Sequence, residues 1–204
     1  MRVLVACEYS GVVRDAFLAA GHDAMSCDLL PTDAPGPHYE GDVFDIIGNG
    51  WDLMIAHPPC TYLSNSGVRW LHTDITRWPK LIEGGVFFRR LLTADIPKVA
   101  VENPIMHKYA AAIIGARQTQ VIQPWMFGHP EQKATGLWLR GLSPLVPTND
   151  VREVMATLPI QDQQRIHYAS PGPDRWKLRS TTYAGIAAAM AAQWGAPDLL
   201  SAVA

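Results

Sequence analysis

The chain has 204 residues, 48% of them hydrophobic, which is enough for one main domain with a sizeable core. A formal net charge of −2 gives no global attraction for nucleic acid, so any DNA contact has to come from a local basic patch. No apolar run approaches the roughly 20 residues needed to span a bilayer, no export signal opens the sequence, and Cys7, Cys27 and Cys60 form no CxxC pair; the expectation is a cytoplasmic protein with free thiols, no metal site and no membrane partner.

Arg2 to Cys7 is a short apolar run rich in β-branched residues, and Val12 to Ala20 has apolar positions that suit a helix closed by Gly21. His22 to Asp28 reads as a second strand. Pro31 to Gly36 is a turn-rich loop leading to Gly41, Asp42 and Val43. Asp52 to Ala56 is the next strand, followed by a polar, irregular stretch from Thr61 to Asp74 and a helix from about Trp78 to Thr93. Pro97 to Glu102 returns as a strand, and Tyr109 to Ile114 as a short helix. Gln120 to Gln123 and Gly136 to Leu139 read as a terminal hairpin, Pro144 to Pro173 is rich in Pro, Gln and Asp, and Thr182 to Trp194 is an Ala-rich final helix. Strands alternating with helices predict a doubly wound α/β fold: a mostly parallel sheet with helices on both faces.

Two reactive groups stand just past two of these strands. Cys60 closes the string Ala56-His57-Pro58-Pro59-Cys60, and Glu102 opens Glu102-Asn103-Pro104. In an open α/β sheet, ligands bind outside the carboxyl ends of the strands, so a thiol and a carboxyl delivered there can meet over one substrate. Each also has a plainer role. Cysteine is often simply buried, Pro-Pro is a stiff turn, and Asn103 with Pro104 would suit the start of a helix. His57 stands beside the thiol but behind two rigid prolines, which favours a packing or loop role. Cys7 and Cys27, in or beside strands, are expected in the core.

Taken together, these motifs resemble, in order along nearly the whole chain, those of the DNA cytosine-5 methyltransferases, in a compact, phage-type form. Pro58-Pro59-Cys60 resembles the nucleophile motif and Glu102-Asn103 the pair that grips the target cytosine. Tyr9-Ser10-Gly11 resembles the first, glycine-containing loop, and Asp28 and Asp42 stand where acids would hold the ribose and contact the adenine of S-adenosylmethionine. Phe127 to Lys133 resembles the Gly-Val-Pro-Gln segment, and Thr181-Thr182-Tyr183 the closing motif. The resemblance implies a class I methyltransferase-like fold in a single domain over 1–204. It assigns catalysis to Cys60 and Glu102, and cofactor contacts to Tyr9, Ser10, Gly11, Asp28, Asp42, Pro58 and Thr182. Substrate contacts fall to Pro59, Asn65, Arg69, Asn103, Lys133, Arg175, Lys177 and Arg179, with Arg140 as an alternative base-holding cation.

The chemistry gives those two residues their roles. Cytosine C5 is too weak a nucleophile to take a methyl group directly, so a thiolate adds first at C6. A carboxyl at N3 then drains the charge, with a raised pKa if it is desolvated. A duplex base has to be flipped out to be reached, and Thr61 to Asp74 is the loop placed to close over it.

The departures from the family pattern keep other readings open. The altered first loop would also admit a folate donor, methylenetetrahydrofolate, giving 5-hydroxymethylcytosine, or a nucleotide substrate. Residues 141–180 form a short loop-rich insertion in place of a recognition domain, so sequence specificity is expected to be low or supplied by an accessory protein. A non-catalytic module binding nucleic acid through Arg175 to Arg179 is the remaining alternative.

Overall fold

A computed structural model of the chain describes residues 1–173 and 175–196. Seven strands form one sheet: β1 (Arg2–Ala6), β2 (Asp23–Asp28), β3 (His38–Glu40), β4 (Leu53–Ala56), β5 (Lys98–Pro104), β6 (Gln120–Ile122) and β7 (Thr135–Arg140). Their order is β3-β2-β1-β4-β5-β7-β6, with β1 to β5 parallel and β7 antiparallel to both β5 and β6. The helices are α1 (Val12–Ala19), α2 (Arg77–Leu92), α3 (Lys108–Ile114), α4 (Arg152–Thr157), α5 (Ile160–Gln163), α6 (Arg165–Tyr168), α7 (Arg175–Ser180) and α8 (Ala184–Trp194).

The inner strands are apolar at successive positions because both faces of the sheet are covered. Leu4, Met54, Val99 and Val101 point to one face, where Leu81, Phe88 and Leu91 of α2 and Ala110 and Ile114 of α3 close over them. Val3, Val5, Leu53 and Ile55 point to the other, against Val13 and Phe17 of α1 and Ile186, Met190 and Trp194 of α8. The doubly wound α/β fold expected from the alternation of elements is therefore the fold observed, with β6 and β7 as the antiparallel pair at one edge.

Three local differences from the sequence reading have clear causes. β3 lies in what reads as loop; it has no apolar run and forms because it pairs with β2, pinned by the 2.8 Å bond between Ser26 Oγ and His38 Nδ1. The Pro-, Gln- and Asp-rich stretch after Pro144 carries the short helices α4, α5 and α6, and the basic segment after it is α7. Asn103 does not start a helix: it lies inside β5, opposite Gly136, and α3 is capped instead by His107, whose Nδ1 accepts from Ala110 N at 3.1 Å. Among the described residues no helix is long and apolar enough to cross a membrane.

Candidate active site

The carboxyl ends of β1, β4 and β5 open into one cleft, walled by the loop after β1, by His57 to Cys60, by Glu102 to Pro104, by Lys133 and by the end of α7. The register of β4 on β5 pairs Ala56 with Val101, so the next residues, His57 and Glu102, are brought side by side. His57 N donates to Ala6 O at 2.9 Å, which continues the pairing to β1 one residue past the strand. Beyond it Pro58 and Pro59 restrict the backbone, and Cys60 O accepts from both Leu63 N and Ser64 N at 3.0 Å, closing a tight turn that fixes the thiol at the cleft. Asn103, 1% exposed, donates from Nδ2 to Pro58 O at 2.9 Å and so ties the cysteine loop to β5. Its Oδ1 is buried without a partner among the described residues, as is His57 Nε2.

The dominant electrostatic feature is the pair between His57 Nδ1 and Glu102 Oε2, 2.7 Å apart, with side chains 10% and 14% exposed. Burial pushes the Glu102 carboxyl up, but the hydrogen bond and charge of His57 outweigh it and hold Glu102 below its ordinary value. Burial pushes His57 down, and the bond to Glu102 outweighs that, leaving the imidazole above its ordinary value. The raised pKa expected for a desolvated Glu102 is thus reversed by a partner that the sequence reading gave a packing or loop role. The Cys60 thiol is pushed up by burial and then by Glu102, while Arg179 and Lys133 pull it back.

The other anticipated residues divide between the cleft and its supports. Pro58, Pro59, Asn103, Lys133, Arg179 and Thr182 line the cleft, with Tyr9 and Ser10 from the loop after β1. Tyr9, 6% exposed, sits under α7: its ring centroid is 5.2 Å from that of Trp176 and its hydroxyl is 3.1 Å from Ser180 Oγ. Gly11 has φ +75°, and the space a side chain would need there is filled by the guanidinium of Arg14. Arg14 is fully buried and holds Ser26 Oγ, Thr32 Oγ1 and the carbonyls of Ala34 and Pro35, so the glycine admits an internal staple. Asp28 and Asp42 lie outside the cleft wall; Asp28 accepts from Leu30 N at 3.0 Å and is pushed up by burial, and Asp42 caps the turn at Phe44 N, also at 3.0 Å. Asn65 and Arg69 lie on an exposed 3-10 turn over Asn65–Leu71, with Arg69 stacked on Trp70.

The basic segment on α7 is largely committed within the protein. Arg175 donates to the carbonyls of Ala169 and His167, and Lys177 pairs with Asp33 at 3.1 Å. Of the three cations expected to contact nucleic acid there, only Arg179 faces the cleft. Arg140 lies away from it, donating to the carbonyls of Leu92, Ala94 and Ile96. Cys27 is buried and pushed up to about 12, and Cys7, also raised by burial, forms part of the cleft wall.

Three residues matter here that sequence reasoning did not single out for the site. Besides His57, Glu8 places a buried carboxylate at the mouth of α1, accepting from Val13 N at 2.7 Å and Arg14 N at 3.2 Å. The signal for Glu8 is an acid a few residues ahead of a helix start, at the positive end of its dipole. Glu131 accepts from Tyr183 Oη at 2.7 Å and pairs with Arg165 at 3.0 Å, joining the Phe127 to Lys133 segment to the start of α8 and to α6.

No protein-family model matches the chain, and no curated protein matches it. Solved structures similar to it include a candidate DNA modification methyltransferase encoded within a prophage of E. coli, at 15% identity and a TM-score of 0.48 over 78% of this chain and 55% of that one. Another is a mutant of DNMT2 from Spodoptera frugiperda, at 14% identity and a TM-score of 0.42 over 74% of this chain and 53% of that one. The chain spans about half the length of each.

Proposed function

We propose that the protein transfers a methyl group to C5 of cytosine in DNA through a covalent bond between Cys60 and C6, as one methyltransferase-like unit with residues 141–180 in place of a recognition domain. The observation that carries this reading is the convergence of Cys60 and Glu102 on one cleft at the carboxyl ends of two neighbouring parallel strands, with His57 bonded to Glu102 at 2.7 Å. A thiol and an acid so placed suit addition to an electron-poor ring: the sulfur attacks C6 while the acid relieves charge at N3. Lys133 and Arg179 stabilise the thiolate form of Cys60 and are placed to steady an anionic substrate at the rim.

The donor side of the cleft favours S-adenosylmethionine over methylenetetrahydrofolate. Glu8 at the cleft wall is a carboxyl group, suited to the positive charge of the former and repelling the glutamate carboxylates of the latter. Tyr9, Ser10 and Thr182 would complete the walls around it. The donor supplies an activated methyl group. The protein's part is to present the thiol, to hold the acid against the ring and to exclude water beneath α7.

Mass spectrometry of nucleosides, after incubation of duplex DNA with the protein and either donor, tests the reading with Cys60→Ser as control. 5-Methylcytosine with S-adenosylmethionine supports it. 5-Hydroxymethylcytosine with methylenetetrahydrofolate would overturn the donor assignment, and an unmodified pool with both donors, on duplex and single strands, would overturn the transferase.

A further inference from the structure

A carboxyl group held below its ordinary value meets its substrate as a carboxylate, with no proton to offer at N3. The geometry supplies one. The Nδ1 proton of His57 lies in a 2.7 Å hydrogen bond to Glu102, both side chains are largely buried, and His57 Nε2 has no partner among the described residues, so that among them Glu102 is the one group to which the ring is hydrogen-bonded. We propose, resting on the cytosine reading above, that His57 is the positioning residue and proton reservoir of Glu102, passing through it the proton that N3 takes up as Cys60 adds to C6.

The step balances internally. The bond between Cys60 Sγ and C6 forms, the C5–C6 π pair shifts to C4–C5, and the N3–C4 π pair moves onto N3. As Glu102 takes the Nδ1 proton of His57 on one oxygen, it passes a proton to N3, so that Glu102 is again a carboxylate and the imidazole is neutral. The C4–C5 π pair then forms the bond from C5 to the methyl group while the N3 lone pair re-forms the N3–C4 double bond, and the sulfonium donor's bond to that methyl breaks with its electron pair left on the sulfur. After a base removes the C5 proton, the thiolate is expelled, and N3 returns its proton to Glu102 and so to His57.

Several charged groups face this pair and the thiol. Glu8, from the loop after β1, raises His57; Lys133, from the approach to β7, lowers it; Lys133 and Arg179, the latter from α7, favour the thiolate. Because turnover needs both a thiolate and a protonated His57, rate against pH rises, levels and falls again.

His57→Asn keeps an amide hydrogen-bond donor for Glu102 at the position of Nδ1 but has no proton to give. The expected result is a fall in kcat on the order of 10²-fold with KM for DNA little changed, and loss of the alkaline fall, so that the rate climbs to a plateau set by Cys60. The same kcat and the same alkaline fall as wild type would overturn the proposal. Nitrogen-15 NMR of the wild-type imidazole provides a second measure that needs no variant: His57 protonated in the free protein and neutral in the adduct with a 5-fluorocytosine oligonucleotide supports the relay, and unchanged protonation overturns it. If the wild type forms neither product nor adduct, the transferase reading itself fails; if it forms both and His57 stays silent, only the relay does.

Discussion

His57 and Glu102 are 45 residues apart in the chain and 2.7 Å apart in space, each one step beyond the paired residues Ala56 and Val101 of adjacent strands. Their stabilities are linked to pH in opposite directions. His57 is raised above 6.5, so its contribution is complete below the unfolded value and is lost as pH rises through the folded one. Glu102 is lowered below 4.5, so its contribution is present above the unfolded value and is lost as pH falls through the folded one. The wild type should therefore gain most over Glu102→Gln between the two unfolded values, 4.5 and 6.5, and the gap should narrow as pH moves outward through either folded value. Thermal melts of the two proteins across that range check this; a gap independent of pH would contradict it.

Cys60 should be a slow thiol in the free protein. Burial and Glu102 raise it above 9.0, so alkylation by iodoacetamide, followed by mass spectrometry of the Cys60 peptide, should rise with pH to a midpoint above that of a free cysteine. Removing a cation that favours the thiolate, as in Arg179→Ala or Lys133→Ala, should move the midpoint further up, and Glu102→Gln should move it down.

Gly11 should resist substitution for reasons internal to the fold. Gly11→Ala places a side chain at φ +75° and against the Arg14 guanidinium, which is bonded to four partners around residues 26–35. The left-handed backbone alone costs about 1–2 kcal/mol, so a loss of at least about 1 kcal/mol, or roughly 2–4 °C in Tm, is expected by calorimetry.

Trp176 should act on access to the cleft more than on overall stability. It is 46% exposed, yet its ring covers Tyr9, beside the Lys177–Asp33 ion pair that fastens the same helix. Trp176→Ala should leave Tm nearly unchanged while raising hydrogen exchange in residues 175–182 and weakening binding of S-adenosylmethionine, measured by calorimetric titration.

The parts legible in the sequence are those carried by local pattern. The apolar runs ending at Ala56 and Val101 mark β4 and β5, and Cys60 and Glu102 stand out because each follows such a run. β3 was hidden because three polar or aromatic residues make no run of their own and depend on pairing with Ser26 to Asp28. The role of His57 was hidden for a related reason: its partner is set by strand register, which short-range spacing does not encode. Arg175 and Lys177 read as free cations because charge is visible in a sequence while the Ala169 carbonyl and the Asp33 carboxylate that engage them are not.

Attack of Cys60 on cytosine C6 can be trapped by incubating the protein with S-adenosylmethionine and a 5-fluorocytosine-containing duplex, then mapping the adduct by mass spectrometry. The fluorine blocks the final elimination, so a stable bond between DNA and the Cys60 peptide is expected, absent in Cys60→Ser and strongly reduced in Glu102→Gln. DNA modification with no bond at Cys60, or an adduct that persists in Cys60→Ser, would contradict it.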